Sequence, residues 1–258
     1  MKERIQKVLA AAGVDSRRNV ELMVRQGRIA VNGKVSIDLP ILIDPQTDKV
    51  TVDDEPIRLA GPQQVRRFYF LLNKPKGVLA TNVAQGAQVR AIDLLPKLPA
   101  RIYPVGRLDA QTAGLLLLTN DGDLTNRLTH PRYGVAKTYR AVVDGEIRPA
   151  ELEELEKGVW LSDPKTGKGF KTKPGTSRIK IIRRVHDRSI LEIQIREGRD
   201  FPIRRMLTSI GHKVRELTRT KIGPLTLDKL NTGQFRELTG REIKSLRGLS
   251  SHQNERAD

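Results

Sequence analysis

Gly106-Arg107-Leu108-Asp109 stands directly before a small-residue turn and the continuous apolar run Leu115 to Leu118. A carboxylate at the mouth of a buried strand, with an Arg two positions earlier, can be held rigidly with its charge balanced. That arrangement suits a nucleophile or a general base. Taken by itself, an Asp in such a turn is ordinarily a cap or a turn former. A single carboxylate also argues against glycoside hydrolysis, which uses a pair. Asp121 and Asp123 have the spacing of a pair, but Thr119-Asn120-Asp121-Gly122-Asp123 is a turn signature and is read as one. Cysteine is absent, which removes thiolate nucleophiles, disulfides, Fe–S clusters and cysteine-rich zinc sites. His130, His186, His212 and His252 show no metal-ligand spacing, so no metal is expected.

Regular elements must hold that carboxylate. A β-rich run from Phe68 ends at Asn73, where Lys74-Pro75-Lys76-Gly77 turns the chain. Leu115 to Leu118 reads as a buried strand, and Leu152, Leu155 and Val159 predict one exposed helix after Pro149. Near the amino terminus, Ile5, Val8, Leu9 and Ala12 fall on one helical face that Gly13 can close. Ser16 is placed to cap a second helix with Val20, Met23 and Val24 inward, and Gly27 is placed to end it. Asn32-Gly33 between β-branched residues is a hairpin signal.

The 258 residues carry 47 Lys and Arg against 30 Asp and Glu, a formal net charge of +17. An anionic partner is therefore expected, nucleic acid first. With 38% hydrophobic and 30% charged residues, the composition fits a globular protein of one large or two small domains. No apolar run approaches the roughly 20 residues of a membrane span and no secretory segment opens the chain. A cytoplasmic protein without membrane contact is expected. The charge is uneven. Residues 1–37 carry eight basic and three acidic side chains, residues 38–60 two and six, and residues 171–223 fifteen and five. Two phosphate-facing surfaces follow from that concentration. Lys2, Arg4, Lys7, Arg17, Arg18, Arg25 and Arg28 are the candidates for the first, the alternative being an ordinary solvated face. Arg17 and Arg18 fall in the first turn of the second helix, where positive charge opposes the macrodipole by roughly 0.3–1 kcal/mol each. Aromatics are only 4% of the chain, so stacking on bases must rest on one or two chosen rings.

Helix, turn, helix and hairpin, with Ser16-Arg17-Arg18 opening the second helix and Gly27-Arg28-Ile29 leading to Val31-Asn32-Gly33-Lys34, resembles the αL RNA-binding domain of the ribosomal-protein-S4 type. The likeness covers about residues 2–50 and implies binding to structured RNA. The acidic stretch to Leu59 completes a domain of residues 1–60, and 61–66 read as a linker.

The longer string Gly106-Arg107-Leu108-Asp109-Ala110-Gln111-Thr112-Ala113-Gly114, followed by four Leu and Thr119-Asn120-Asp121-Gly122, resembles motif II of the RsuA/RluB-type rRNA pseudouridine synthases. Asn73 to Gly77 resembles the N-K-P-x-G element before it. Lys137-Thr138-Tyr139 resembles the K-x-Y motif, Ile203 to Met206 the motif of the last active-site Arg, and Ile222 to Leu225 the closing strand. With the module in front, the resemblance spans about residues 2–247, and RluB-like members are the nearer pattern. It implies an α+β chain: the small module, then a catalytic domain over 67–248 with a mixed, mostly antiparallel sheet, and a polar tail over 249–258.

The resemblance further implies isomerisation of uridine to pseudouridine in ribosomal RNA, of the large subunit. It makes Asp109 the catalytic carboxylate, Tyr139 the ring that packs on the target base, and Arg204 the cation paired with Asp109. Ile203 would close the apolar wall, and Arg107, Lys74, Arg199 and Arg205 would contact the substrate. The reaction changes no oxidation state and transfers no external group, so no cofactor is expected, and the chain is expected to act as a monomer. The rival reading is a catalytically silent RNA-binding or ribosome-assembly factor on the same fold. One stretch departs from the family pattern E-G-R-N-R-Q-V-R-R-M: here Asp200-Phe201-Pro202 precedes Ile203. Pro202 fixes φ and removes an N–H, and Phe201 is expected to contact an RNA base or ribose beside the target.

Overall fold

A computed structural model describes residues 2–59, 66–162, 167, 169–172, 177–196 and 203–249. The chain divides into two compact units, Met1–Arg67 with Leu98–Arg101, and Phe68–Lys97 with Ile102–Asp258.

The first unit contains β1 (Glu3–Arg4), α1 (Ile5–Ala11), α2 (Arg17–Arg25), β2 (Ile29–Val31), β3 (Lys34–Val35), β4 (Leu42–Ile43), β5 (Val50–Val52) and β6 (Glu55–Ile57). Its core is the predicted helical face, Ile5, Val8 and Leu9, packed with Val20 and Val24 of α2 and with Ile29, Ile43, Val50 and Val52. Ser16 caps α2, its Oγ accepting from Asn19 N at 3.1 Å, and Arg17 and Arg18 occupy a first turn that contains no acidic side chain. Asn32 and Gly33 both have positive φ, 50° and 79°. That geometry matches the twist of the flanking strands, which run β3-β2-β5-β6 in one small sheet.

The second unit contains β7 (Tyr69–Lys74), β8 (Tyr103–Pro104), β9 (Ala113–Thr119), α3 (Gly122–Thr129), β10 (Lys137–Asp144), α4 (Pro149–Lys157), β11 (Trp160–Ser162) and β12 (Gly169–Lys171). It continues with β13 (Ser177–Val185), β14 (Arg188–Ile195), α5 (Ile203–Ser209), β15 (Val214–Ile222), β16 (Leu225–Thr226), β17 (Phe235–Glu237) and α6 (Gly240–Gly248). Among the described residues one mixed sheet runs β13-β14-β10-β15-β9-β7-β17, with β16 on β15 and β8 on β9. Its pairings are antiparallel except at the centre, where β15 meets β9 in parallel, Arg219 opposite Gly114. Gly114 is required there. Its φ is +106°, and a Cβ would sit 2.3 Å from the Arg219 carbonyl oxygen.

Each half of the sheet has its own core. Ala141, Val143, Leu191, Ile193 and Ile195 pack with Leu155, Leu161, Ile203 and Met206 on one side of the junction. Tyr69, Leu71, Leu115 and Leu117 pack with Leu124, Leu128, Leu238 and Leu246 on the other. One expectation about α4 needs correction. Val159 lies beyond the helix, because Gly158 at φ +92° ends it. The helix otherwise lies at the surface as expected, with Leu155 buried in the first cluster and Glu153, Glu154 and Lys157 exposed. Among the described residues no helix is long and apolar enough to cross a membrane.

Candidate active site and RNA-binding face

Asp109 lies in the turn between β8 and β9, which closes through Thr112 N donating to the Asp109 carbonyl at 3.0 Å. Its side chain is exposed, as is that of Arg107. The loop is gripped from three directions through its backbone. Lys74, the last residue of β7, has no exposed surface. Its Nζ donates to the carbonyls of Pro75 at 2.9 Å, Val78 at 2.8 Å and Ala110 at 3.3 Å. Gly77 N also reaches the Ala110 carbonyl, at 2.8 Å. Arg204 on α5 donates to the carbonyls of Gln111 at 2.9 Å and Val214 at 3.0 Å. Arg219 on β15, 1% exposed, donates from Nε to the Leu115 carbonyl at 2.7 Å and from Nη1 to the Arg107 carbonyl at 3.5 Å.

Tyr139 stands on β10 opposite Ile193 of β14 and Arg219 of β15. It is half-buried against the cluster that contains Ile203. Ring, apolar wall and carboxylate loop are therefore all tied to the central strands. The electrostatics are those of two cations forced close together. Burial pushes the Lys74 ammonium down to about 8, the Arg219 charge pushes the same way, and Asp109 opposes both.

Two expectations change here, and one residue joins the site. Among the described residues no ion pair joins Arg204 to Asp109: the guanidinium is spent on two carbonyls, and its Nε is buried without an acceptor. Lys74 cannot touch a substrate directly, because it lies wholly beneath the loop. Arg219 does not stand out in the sequence as a site residue. Strand alternation puts it on the buried face with Leu217, and a cation at an inward strand position is the signal that could have found it. Ile203 is buried in the cluster and Arg205 is half-buried, whereas Arg199, Phe201 and Pro202 lie outside the described residues. Asp121 has a structural job. It caps α3 through Leu124 N at 3.0 Å and accepts from the Tyr69 hydroxyl at 2.8 Å and Arg247 at 3.1 Å. Burial and that carboxylate push the Tyr69 hydroxyl up to about 12.

In the first unit the expected basic face is divided. Arg4, Lys7 and Arg17 line one groove with Glu3, Gln6 and Glu21, and Arg18 and Arg25 are exposed. Arg28 is held by Asp53, Nε to Oδ1 at 2.7 Å. Lys2 faces Asp44 and Asp48, whose carboxyls it helps to hold low after their own hydrogen bonds. The acidic stretch after residue 37 thus meets the two ends of the predicted set, and Lys7 in its middle pairs with Glu3 at 2.6 Å. Among the described residues no group of three His, Asp or Glu side chains is placed to hold a metal ion.

Both parts of the chain match known proteins. Residues 3–36 match the S4 domain, and residues 68–209 match RNA pseudouridylate synthase. The ribosomal large subunit pseudouridine synthase B of Bacillus subtilis is 41% identical, covering 97% of this chain and 98% of that protein. The Pseudomonas aeruginosa protein of the same name is 37% identical over 95% of this chain and 61% of its own. A crystal structure of a pseudouridylate synthase superposes with a TM-score of 0.65 at 29% identity, covering 94% of this chain and 99% of that one. The molecule is thus an RNA-modifying enzyme with an S4 domain ahead of its catalytic sheet. The chain belongs to the RNA pseudouridylate synthase family.

Proposed function

We propose that this enzyme isomerises particular uridines of large-subunit ribosomal RNA, with Asp109 as the catalytic carboxylate. The observation that carries the reading is the exposed Asp109 side chain on a loop whose backbone is held by Lys74, Arg204 and Arg219. Such a carboxylate is pre-placed and balanced by buried positive charge, as an attacking or proton-abstracting group requires. The bond from the ribose to N1 of the target breaks, the held uracil turns, and its ring carbon five bonds to the ribose; carbon five then gives up its proton and N1 ends with one, so the product is an isomer. A base inside folded RNA must first be flipped out, at a cost of a few kcal/mol. Stacking on Tyr139 returns about 1–3 kcal/mol of that.

In this reading residues 1–60 hold structured RNA, 61–66 link, and 67–248 carry the chemistry. Arg107 and Arg205 support the flipped nucleotide and its backbone, and Ile203 closes the apolar wall. No cofactor takes part because the isomerisation is redox-neutral and internal, and one chain supplies every group named. Ribosomal RNA as substrate, the large subunit in particular, is supported by the names of the Bacillus subtilis and Pseudomonas aeruginosa relatives. Such a substrate implies action in the cytoplasm. The test is pseudouridine mapping of ribosomal RNA from cells with the gene, without it, and with Asp109→Asn. A large-subunit site that disappears with the gene and is not restored by Asp109→Asn is expected. Restoration by the Asn variant would overturn the role of Asp109, and an unchanged map would overturn the substrate.

A further inference from the structure

Arg219 stands where the two halves of the second unit's sheet join. It is opposite Tyr139 on one side and Gly114 on the other, and the absent Cβ of Gly114 lets the strands close on its backbone. The side chain is 1% exposed and bonds two carbonyls, one of them Arg107, two residues before Asp109. Its Nη2 is buried with no acceptor among the described residues. Lys74, also fully buried, lies close enough for the two cations to repel and for Asp109 to oppose that repulsion.

A scaffold has no use for this. Two buried cations side by side each bear a desolvation cost of several kcal/mol, and well-packed apolar residues in their place are often neutral or stabilising. A buried unsatisfied donor adds about 1–3 kcal/mol. Costs of this kind concentrate at functional sites. Among the described residues, the carboxylate that acts on Lys74 is Asp109.

We propose that Arg219 is a positioning residue of the isomerase site: it holds the Arg107–Asp109 loop by a carbonyl and, with Lys74, sets positive charge near the Asp109 carboxylate. The role rests on Asp109 being the catalytic group. It acts through the loop and through charge, not by touching RNA, so its loss falls on the chemical step.

Steady-state kinetics of Arg219→Lys and Arg219→Met on a ribosomal RNA fragment, across pH, tests this. Arg219→Lys keeps the charge but cannot bond two separated carbonyls. Its kcat should fall about 10²-fold, the size of an ångström-scale misplacement, with KM held within about threefold. Arg219→Met also removes the charge that depresses Lys74. The charged groups acting on Lys74, after burial itself, are Arg219 of β15 and Asp109 of the loop, so the Lys74 ammonium should titrate at higher pH in Arg219→Met, nearer its ordinary value, read from the pH profile of kcat. It should stay in place in Arg219→Lys. If Arg219→Met does not fold, the kcat of Arg219→Lys decides. Wild-type kcat in Arg219→Lys, or a loss confined to KM, would overturn the proposal. If Asp109→Asn still turns over, the Asp109 reading has failed. If Asp109→Asn is dead while Arg219→Lys is normal, only the role of Arg219 has.

Discussion

Arg204 donates to the carbonyl of Gln111 at 2.9 Å, so α5 holds the Asp109 loop by its backbone two residues past Asp109. Lys74 does the same one residue past it, through the Ala110 carbonyl. In this conformation the loop is fixed by main-chain contacts, and Asp109 is left exposed.

That relationship makes Arg204 separable from an ordinary phosphate contact. Arg204→Met should lower kcat about 10²-fold by loosening the loop, while RNA affinity at moderate salt changes little. A variant whose only defect is weaker RNA binding, with a smaller salt slope, would return Arg204 to the phosphate-contact reading.

The division of the amino-terminal basic set makes a sharper prediction than its total charge. Arg4→Ala with Arg17→Ala should reduce the slope of log K against log salt by about one for each phosphate that is no longer neutralised. Arg28→Ala should leave the slope unchanged, because Arg28 is already paired with Asp53. Equal effects from Arg28 and the groove residues would mean that the seven cations act as one field.

Gly114 and Gly77 test the junction of β9 and β15. Both have positive φ, but a Cβ at Gly114 meets the Arg219 backbone at 2.3 Å, whereas nothing lies within 4 Å of one at Gly77. Gly77→Ala should cost only backbone strain, roughly 1 kcal/mol. Gly114→Ala should cost several times that, read as a lower denaturant midpoint at constant slope. Similar midpoints for the two variants would argue against the close parallel pairing.

Acid stability should depend on Glu242, whose carboxyl is held at about 2, chiefly by the Arg236 guanidinium, with Thr239 contributing. A lowered carboxyl stabilises the fold above the ordinary value near 4.5, and that contribution disappears as pH falls from 4.5 to 2. Glu242→Gln should therefore be less stable by about 2 kcal/mol at neutral pH, after discounting for solvent near the pair. Urea midpoints of the two proteins should converge as pH approaches 2. A gap that persists there would assign the effect to the capping of α6.

What the chain determined by itself is local. Ser16 as a cap, Asn32-Gly33 as a hairpin and Leu115 to Leu118 as a buried strand follow from periodicity and turn chemistry, because each involves residues within a few positions of one another. The family and its two parts were legible in ordered motifs, and Asp109 stood out as a carboxylate at the start of a buried strand. The division of the basic set was not legible, because Arg28 meets Asp53 across 25 residues. Nor were the backbone attachments of Arg204 or the burial of Lys74. Arg219 shows the reason most plainly: it reads as one more cation in a basic stretch until β15 is laid parallel to β9 and opposite Tyr139. Side-chain type and spacing say which groups are available. Only strand register and depth of burial decide which charges meet, and how strongly they act once water is gone.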